Sequence, residues 1–103
     1  MTVVAVTACP TGIAHTYMAA EQLEKAGRKL GLKIKVETQG AMGIENELSA
    51  ADVREAEAVV FAVGIPVLRR ERFDGKKIYE ISPQEAITSA DAVLTRIKSE
   101  LGL

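Results

Sequence analysis

An ionised thiol is a strong nucleophile, and this chain has one cysteine, Cys9, with its one histidine, His15, six positions further on. The run Cys9-Pro10-Thr11-Gly12-Ile13-Ala14-His15-Thr16 is composed to meet an anion. Gly12 lets backbone approach a ligand closely, and Thr11 and Thr16 add hydroxyl donors. A helix beginning within this run would aim unpaired N–H groups and the positive end of its dipole at whatever sits before it. The same field should lower the pKa of Cys9 and make its thiolate available near neutral pH. A lone cysteine is often only a small buried hydrophobe. Cys9, however, directly follows an apolar β-type run and opens a Pro/Gly/Thr loop, which points to chemistry.

The spacing narrows that chemistry. Protein-tyrosine phosphatases place an arginine six positions after their cysteine, where its planar fork binds phosphate through two bonds and never loses its proton. His15 occupies that place here and cannot reproduce the clamp. The sequence therefore offers a nucleophile and a phosphate cradle, Pro10 to Thr16, without an evident hydrolytic apparatus. Such a loop suits a phosphocysteine that survives until it meets an acceptor. Other site chemistries fail on composition. No Gly-x-Gly-x-x-Gly follows the first strand, no Gly-Lys-Ser/Thr marks a nucleotide loop, one thiol cannot form a redox pair, and one Cys with one His is too few for a metal site. No cofactor is called for.

The elements that must hold this loop are legible. Thr2–Ala8 (TVVAVTA) reads as a strand buried on both faces. A helix is predicted over Ile13–Leu30, with Ala20, Leu23, Gly27 and Leu30 on its apolar face and Gly31 ending it. Lys33–Glu37 alternates, with Ile34 and Val36 on one face and Lys33, Lys35 and Glu37 on the other, as a half-covered edge strand does. A Gly-rich loop is expected over Thr38–Leu48. Ser49 and Asp52 form a capping box for a short helix. Ala58–Gly64 (AVVFAVG) reads as a central strand and Lys76–Ile81 as the other edge. Ser82-Pro83-Gln84-Glu85 opens a last helix that presents Ala86, Ala90, Val93, Leu94, Ile97 and Leu101 inward. Alternating strands and helices imply an α/β fold: an open four-stranded parallel sheet, order 2-1-3-4, with helices on both faces, of flavodoxin/Rossmann-like type. Ligands in such sheets bind beyond the carboxyl ends of the strands where the order reverses. That point lies between the first and third strands, where Cys9 emerges.

Bulk composition agrees with one unit over residues 1–103, 48% hydrophobic, with a formal charge of −1. A chain of this size buries about two-thirds of its unfolded surface, enough for a core without staples. Its charge balance gives no basis for a nucleic-acid partner. One cysteine, no apolar run near the roughly 20 residues of a membrane helix, and no basic n-region before the first strand lead to an expectation of a cytoplasmic chain, monomeric on its own. Outside the Cys9 loop, Gln39 and Gly40 should leave the second strand beside Cys9 and form a candidate second loop of the site. Arg69, Arg70 and Arg72, with Lys76 and Lys77, form the densest basic cluster, a candidate docking surface for an acidic partner or else a solvated face anchored by Phe73.

The run VTACPTGIAHTYMAAE (Val6–Glu21), followed by VETQGAMGIENELS (Val36–Ser49) and ERFDGKKIY (Glu71–Tyr79), resembles the fructose-family enzyme IIB domains of the bacterial phosphoenolpyruvate-dependent sugar phosphotransferase system. The resemblance covers essentially the whole chain. It implies that Cys9 takes a phosphoryl group from a phosphohistidine of enzyme IIA. It implies further that Cys9 passes the group to a sugar, fructose or a relative such as mannose or mannosyl-glycerate, held by the membrane transporter enzyme IIC. That would bring the chain to the inner face of the membrane. Two other readings stand beside it: a low-molecular-weight phosphatase-like enzyme, against which the missing Arg counts, and a non-catalytic regulatory module on the same sheet.

Overall fold

The computed structural model describes residues 1–10 and 13–102, with the side chain of Ile13 excepted. Thr11, Gly12 and Leu103 lie outside the described residues. In chain order the elements are β1 (Thr2–Ala8), α1 (Ile13–Lys29), β2 (Lys33–Gly40), β3 (Gly43–Glu45), α2 (Ala50–Glu55), β4 (Ala58–Val63), a 3-10 turn (Arg70–Phe73), β5 (Ile78–Ile81) and α3 (Pro83–Glu100).

The strands form one sheet of order β3-β2-β1-β4-β5. β1 pairs in parallel with β2 and with β4, and β5 in parallel with β4. This parallel core matches the expected α/β arrangement, but the sheet has five strands rather than four. The fifth, β3, is antiparallel to β2 through Thr38↔Glu45, Gln39↔Ile44 and Gly40↔Gly43. β2 accordingly runs three residues beyond Glu37, and part of the expected Thr38–Leu48 loop is a hairpin. The local reason is Gly43, whose φ of 85° lets the chain turn back after Ala41 and Met42. β2 is therefore an edge only over its first half.

Alternate residues of the central strands feed two cores. Val3 and Ala5 of β1, with Val60 and Ala62 of β4, pack against α1 and α3 through Ala19, Leu23, Ala86 and Leu94. Val4, Val6, Val59 and Phe61 face the other way, onto Leu48, Val53 of α2 and Phe73, with the Phe61 and Phe73 rings edge to face at 5.2 Å. Three helix ends are held as their residue types demand. At the carboxyl end of α1, Gly31 at φ 74° lets its own N–H reach the Arg28 carbonyl while Leu32 N–H reaches that of Gly27, a pair of bonds that closes a Schellman motif. The Ser49 hydroxyl and the Asp52 carboxylate cap α2 reciprocally. A hydrogen bond from Lys35 and the Ser49 N–H lower the Asp52 pKa to about 2. Ser82 Oγ accepts from Glu85 N–H above Pro83. Gly27 sits so close to β2 that a Cβ there would lie 2.4 Å from Ile34 Cγ2. α1 can approach the sheet this closely only with glycine at that point.

Candidate functional site

β1 delivers Cys9 to the carboxyl edge of the sheet, four residues before α1 begins at Ile13. The placement is the one expected from the sequence, and two bonds hold it. Thr7 Oγ1, buried at the end of β1, donates to the Thr16 carbonyl at 3.0 Å, tying the strand to the first turn of α1. Gly64 N–H, just after β4, donates to the Ala8 carbonyl at 2.9 Å. Cys9 is part-exposed, and His15, exposed on the first turn, places Nδ1 3.9 Å from its Sγ. The two groups that carry the predicted chemistry are thus in contact. Of the other loop residues, Pro10 and Ala14 are exposed, whereas Thr16 is buried. The Thr11 and Gly12 positions of the expected cradle lie outside the described residues.

Cys9 and Pro10 open into a cleft of about 300 Å³. Its other walls are the end of β2 (Gln39, Gly40, Ala41) and the loop after β4 (Ile65, Pro66, Leu68). The second-loop residues Gln39 and Gly40 therefore do reach the neighbourhood of Cys9, as strand pairing requires. Gln39 is 3% exposed and its amide is engaged: Nε2 donates to Glu37 Oε2 and to the Leu68 carbonyl, and Oε1 accepts from Leu68 N–H. Sequence reasoning missed the Gly64–Leu68 wall, although Gly64-Ile65-Pro66 directly after a fully apolar strand is a signal that could have found it. Gly64 is confined there, because a Cβ would lie 2.9 Å from Pro10 Cδ.

The expected basic cluster is divided by the fold. Arg72 turns inward: its side chain is 11% exposed and forms a two-pronged pair with the fully buried Glu37, NH1 to Oε1 at 2.7 Å and NH2 to Oε2 at 2.9 Å. Expecting Glu37 on an open face and Arg72 in a surface patch missed this pair, because an acid in β2 and one base of a cluster 35 residues later carry no local sign of meeting. Burial raises the Glu37 pKa, but the hydrogen bonds from Arg72, Gln39 and Leu48 N–H outweigh it and hold the carboxyl below its usual range. Arg69 pairs with Glu47, and Arg70 stacks over the Phe61 ring at 4.9 Å. Lys76 and Lys77 lie at the start of β5, the amino edge, remote from Cys9. Among the described residues no cluster of three or more metal-ligating side chains occurs.

Comparison with known proteins decides the family. The family described as "PTS system, Lactose/Cellobiose specific IIB subunit" matches residues 4–96. A PTS system fructose-like EIIB component 2 of Escherichia coli is 48% identical over 99 residues, 96% of this chain and 93% of that protein. The chain belongs to the fructose-type EIIB family of the sugar phosphotransferase system. The solution structure of an EIIB subunit from Escherichia coli K12 superposes with a TM-score of 0.93 at 40% identity, covering 98% of this chain and 94% of that one. A domain of a fructose-specific IIABC component from Borrelia burgdorferi gives 0.87 at 42% identity, covering 92% and 90%. The EIIB unit also occurs within longer relatives: a Fructose-like PTS system EIIBC component of Escherichia coli is 47% identical over 92% of this chain, which spans 20% of that protein.

Proposed function

We infer that this EIIB chain is the phosphoryl carrier of a fructose-type sugar phosphotransferase system and that Cys9 is the carrying atom's residue. The observation that carries the assignment to Cys9 is its position at the carboxyl end of β1, before the amino end of α1, with His15 Nδ1 at 3.9 Å. In the first transfer the Cys9 thiolate attacks the phosphorus of a phosphohistidine on enzyme IIA. An S–P bond forms as the P–N bond breaks, and the imidazole nitrogen keeps the electron pair. In the second, a sugar hydroxyl held by enzyme IIC attacks the phosphorus, the S–P bond breaks, the thiolate leaves, and the hydroxyl proton passes to a base on the acceptor side. Both steps need alignment and charge stabilisation more than elaborate covalent machinery. The helix dipole at Ile13 and the N–H groups of the first turn of α1 supply them. Relatives whose names join B with C components support enzyme IIC as the neighbour. No helix among the described residues is long and apolar enough to cross a membrane, so the chain reaches the inner membrane face through that partner.

Both partners dock, in this reading, on an apolar collar around Cys9. Among the described residues the exposed large hydrophobics are Tyr17, Met18, Met42, Ile65 and Leu68, and all lie on segments at the carboxyl edge of the sheet, with Ile65 and Leu68 in the cleft wall itself. Arg69, paired with Glu47, and Arg70, stacked over Phe61, flank the collar and are exposed cations that an acidic donor would meet. Changing both to glutamine is expected to slow transfer from phosphorylated enzyme IIA several-fold at low salt and little at high salt, where screening removes the steering. Equal rates for the variant and wild type at low ionic strength would remove these two residues from the docking surface.

The central experiment is intact-mass measurement after incubation with phosphoenolpyruvate, the general phosphotransferase proteins and enzyme IIA. One phosphoryl group per chain is expected, stable in buffer until acceptor is added. Efficient turnover of a generic aryl phosphate by the wild-type chain, with no lasting phosphoprotein, would instead favour the phosphatase-like reading.

A further inference from the structure

The Glu37–Arg72–Gln39 network is satisfied to an unusual degree. The five N–H donors of Arg72 meet five acceptors: Arg69 O, Leu48 O, Leu68 O and both oxygens of Glu37. Glu37 accepts two further bonds, from Leu48 N–H at 2.8 Å and Gln39 Nε2 at 2.6 Å. Gln39 then grips Leu68 by both backbone groups, N–H to Oε1 at 2.8 Å and Nε2 to carbonyl at 3.1 Å, as a neighbouring strand would. A side chain in β2 thus replaces the missing ladder for a loop that has none.

That loop is the far wall of the Cys9 cleft. It is fixed at its first residue by the Gly64 N–H bond to Ala8 and the Gly64–Pro10 contact, and at its last by Gln39. Leu68 itself, 57% exposed, faces the cleft. An apolar residue at 39 would fill the space but release the Leu68 end. We propose that Gln39, backed by Arg72 and Glu37, is a positioning residue for phosphoryl transfer: it sets the distance between the Gly64–Leu68 wall and Cys9, and so the line along which a docked donor presents its phosphorus. The proposal rests on the phosphocysteine reading of Cys9.

Gln39→Met keeps length and volume and removes every bond to Leu68. Single-turnover transfer from phosphorylated enzyme IIA is measured over a range of donor concentrations, beside alkylation of Cys9 by iodoacetamide and hydrogen exchange of the Leu68 amide. The expected result is faster Leu68 exchange, unchanged alkylation, and a transfer rate at saturating donor that falls about 10- to 100-fold, the range that misplacement by about 1 Å produces. An unchanged saturating rate, or a loss confined to the half-saturating donor concentration, overturns the proposal. Should Gln39→Met fail to fold, Arg72→Lys keeps the charge beside Glu37 while losing the fork that reaches Leu68 O. It too must slow the saturating rate, and a wild-type rate refutes positioning by this network. The underlying reading fails separately, since it falls only if the wild-type chain takes no phosphoryl group on Cys9.

Discussion

Replacing Cys9 with serine is expected to abolish phosphoryl acceptance altogether. The serine oxygen would occupy nearly the same place, but an unactivated hydroxyl has essentially no anion near neutral pH, whereas a thiol is already partly ionised. The Cys9 thiol lies before the amino end of α1, where the helix dipole favours the anion. Its alkylation rate should therefore rise with pH through an inflection below the ordinary thiol value of about 8.5. An inflection at or above that value would show that the helix end does not activate the thiol. Phosphorylation of Cys9→Ser at the wild-type level would move the carrier role to another residue. His15→Ala should retain the fold, because the ring is exposed, and slow acceptance without abolishing it. A wild-type rate in that variant would reduce His15 to part of the helix start.

The second large effect concerns stability. Arg72→Met leaves the fully buried Glu37 carboxylate without its counter-charge and should destabilise the fold by about 3–5 kcal/mol. Glu37→Leu should cost a comparable amount, and the double replacement less than the sum, since no unpaired charge remains. The pH dependence separates this pair from a generic packing defect. In the wild type the Glu37 pKa is lowered in the folded state, so its stabilisation is present above the unfolded value of about 4.3. It is lost as pH falls through the lower folded value. In Arg72→Met, burial without the guanidinium should raise that pKa above the unfolded one. Glu37 would then cost the variant stability as pH rises past 4–5, reversing the sign of its contribution. Urea midpoints between pH 3 and 7 measure both. Parallel curves for the variant and wild type would show that Arg72 does not govern the charge state of Glu37.

Much of this architecture could be read locally. β1 and β4 declare themselves by unbroken β-branched runs, α1 and α3 by apolar spacing and end residues, and Cys9 by standing where one such strand meets one such helix. What escaped was of two kinds. β3 is three residues long and takes its structure from pairing rather than composition, so GIE reads as loop. The Glu37–Arg72 pair and the Gln39–Leu68 grip join residues 35 and 29 positions apart. Their side chains carry polar labels that, taken one at a time, mean surface. The basic cluster looked continuous for the same reason: sequence adjacency hid that Arg72 turns inward onto Glu37, that Arg69 pairs with Glu47 and that Arg70 stacks over Phe61.

The short hairpin strand has a consequence for how the molecule behaves among copies of itself. An open sheet leaves two rows of unsatisfied N–H and C=O groups that could recruit another chain. On one side, β3 offers three residues, and the remaining uncovered half of β2 carries exposed Lys33 and Lys35, whose charges oppose the docking of a like strand. On the other, β5 is four residues long with Glu80 exposed. Neither border offers a long, flat, uncharged template. Borders of this kind leave the chain with little risk of fibrous self-association while its carboxyl edge stays open.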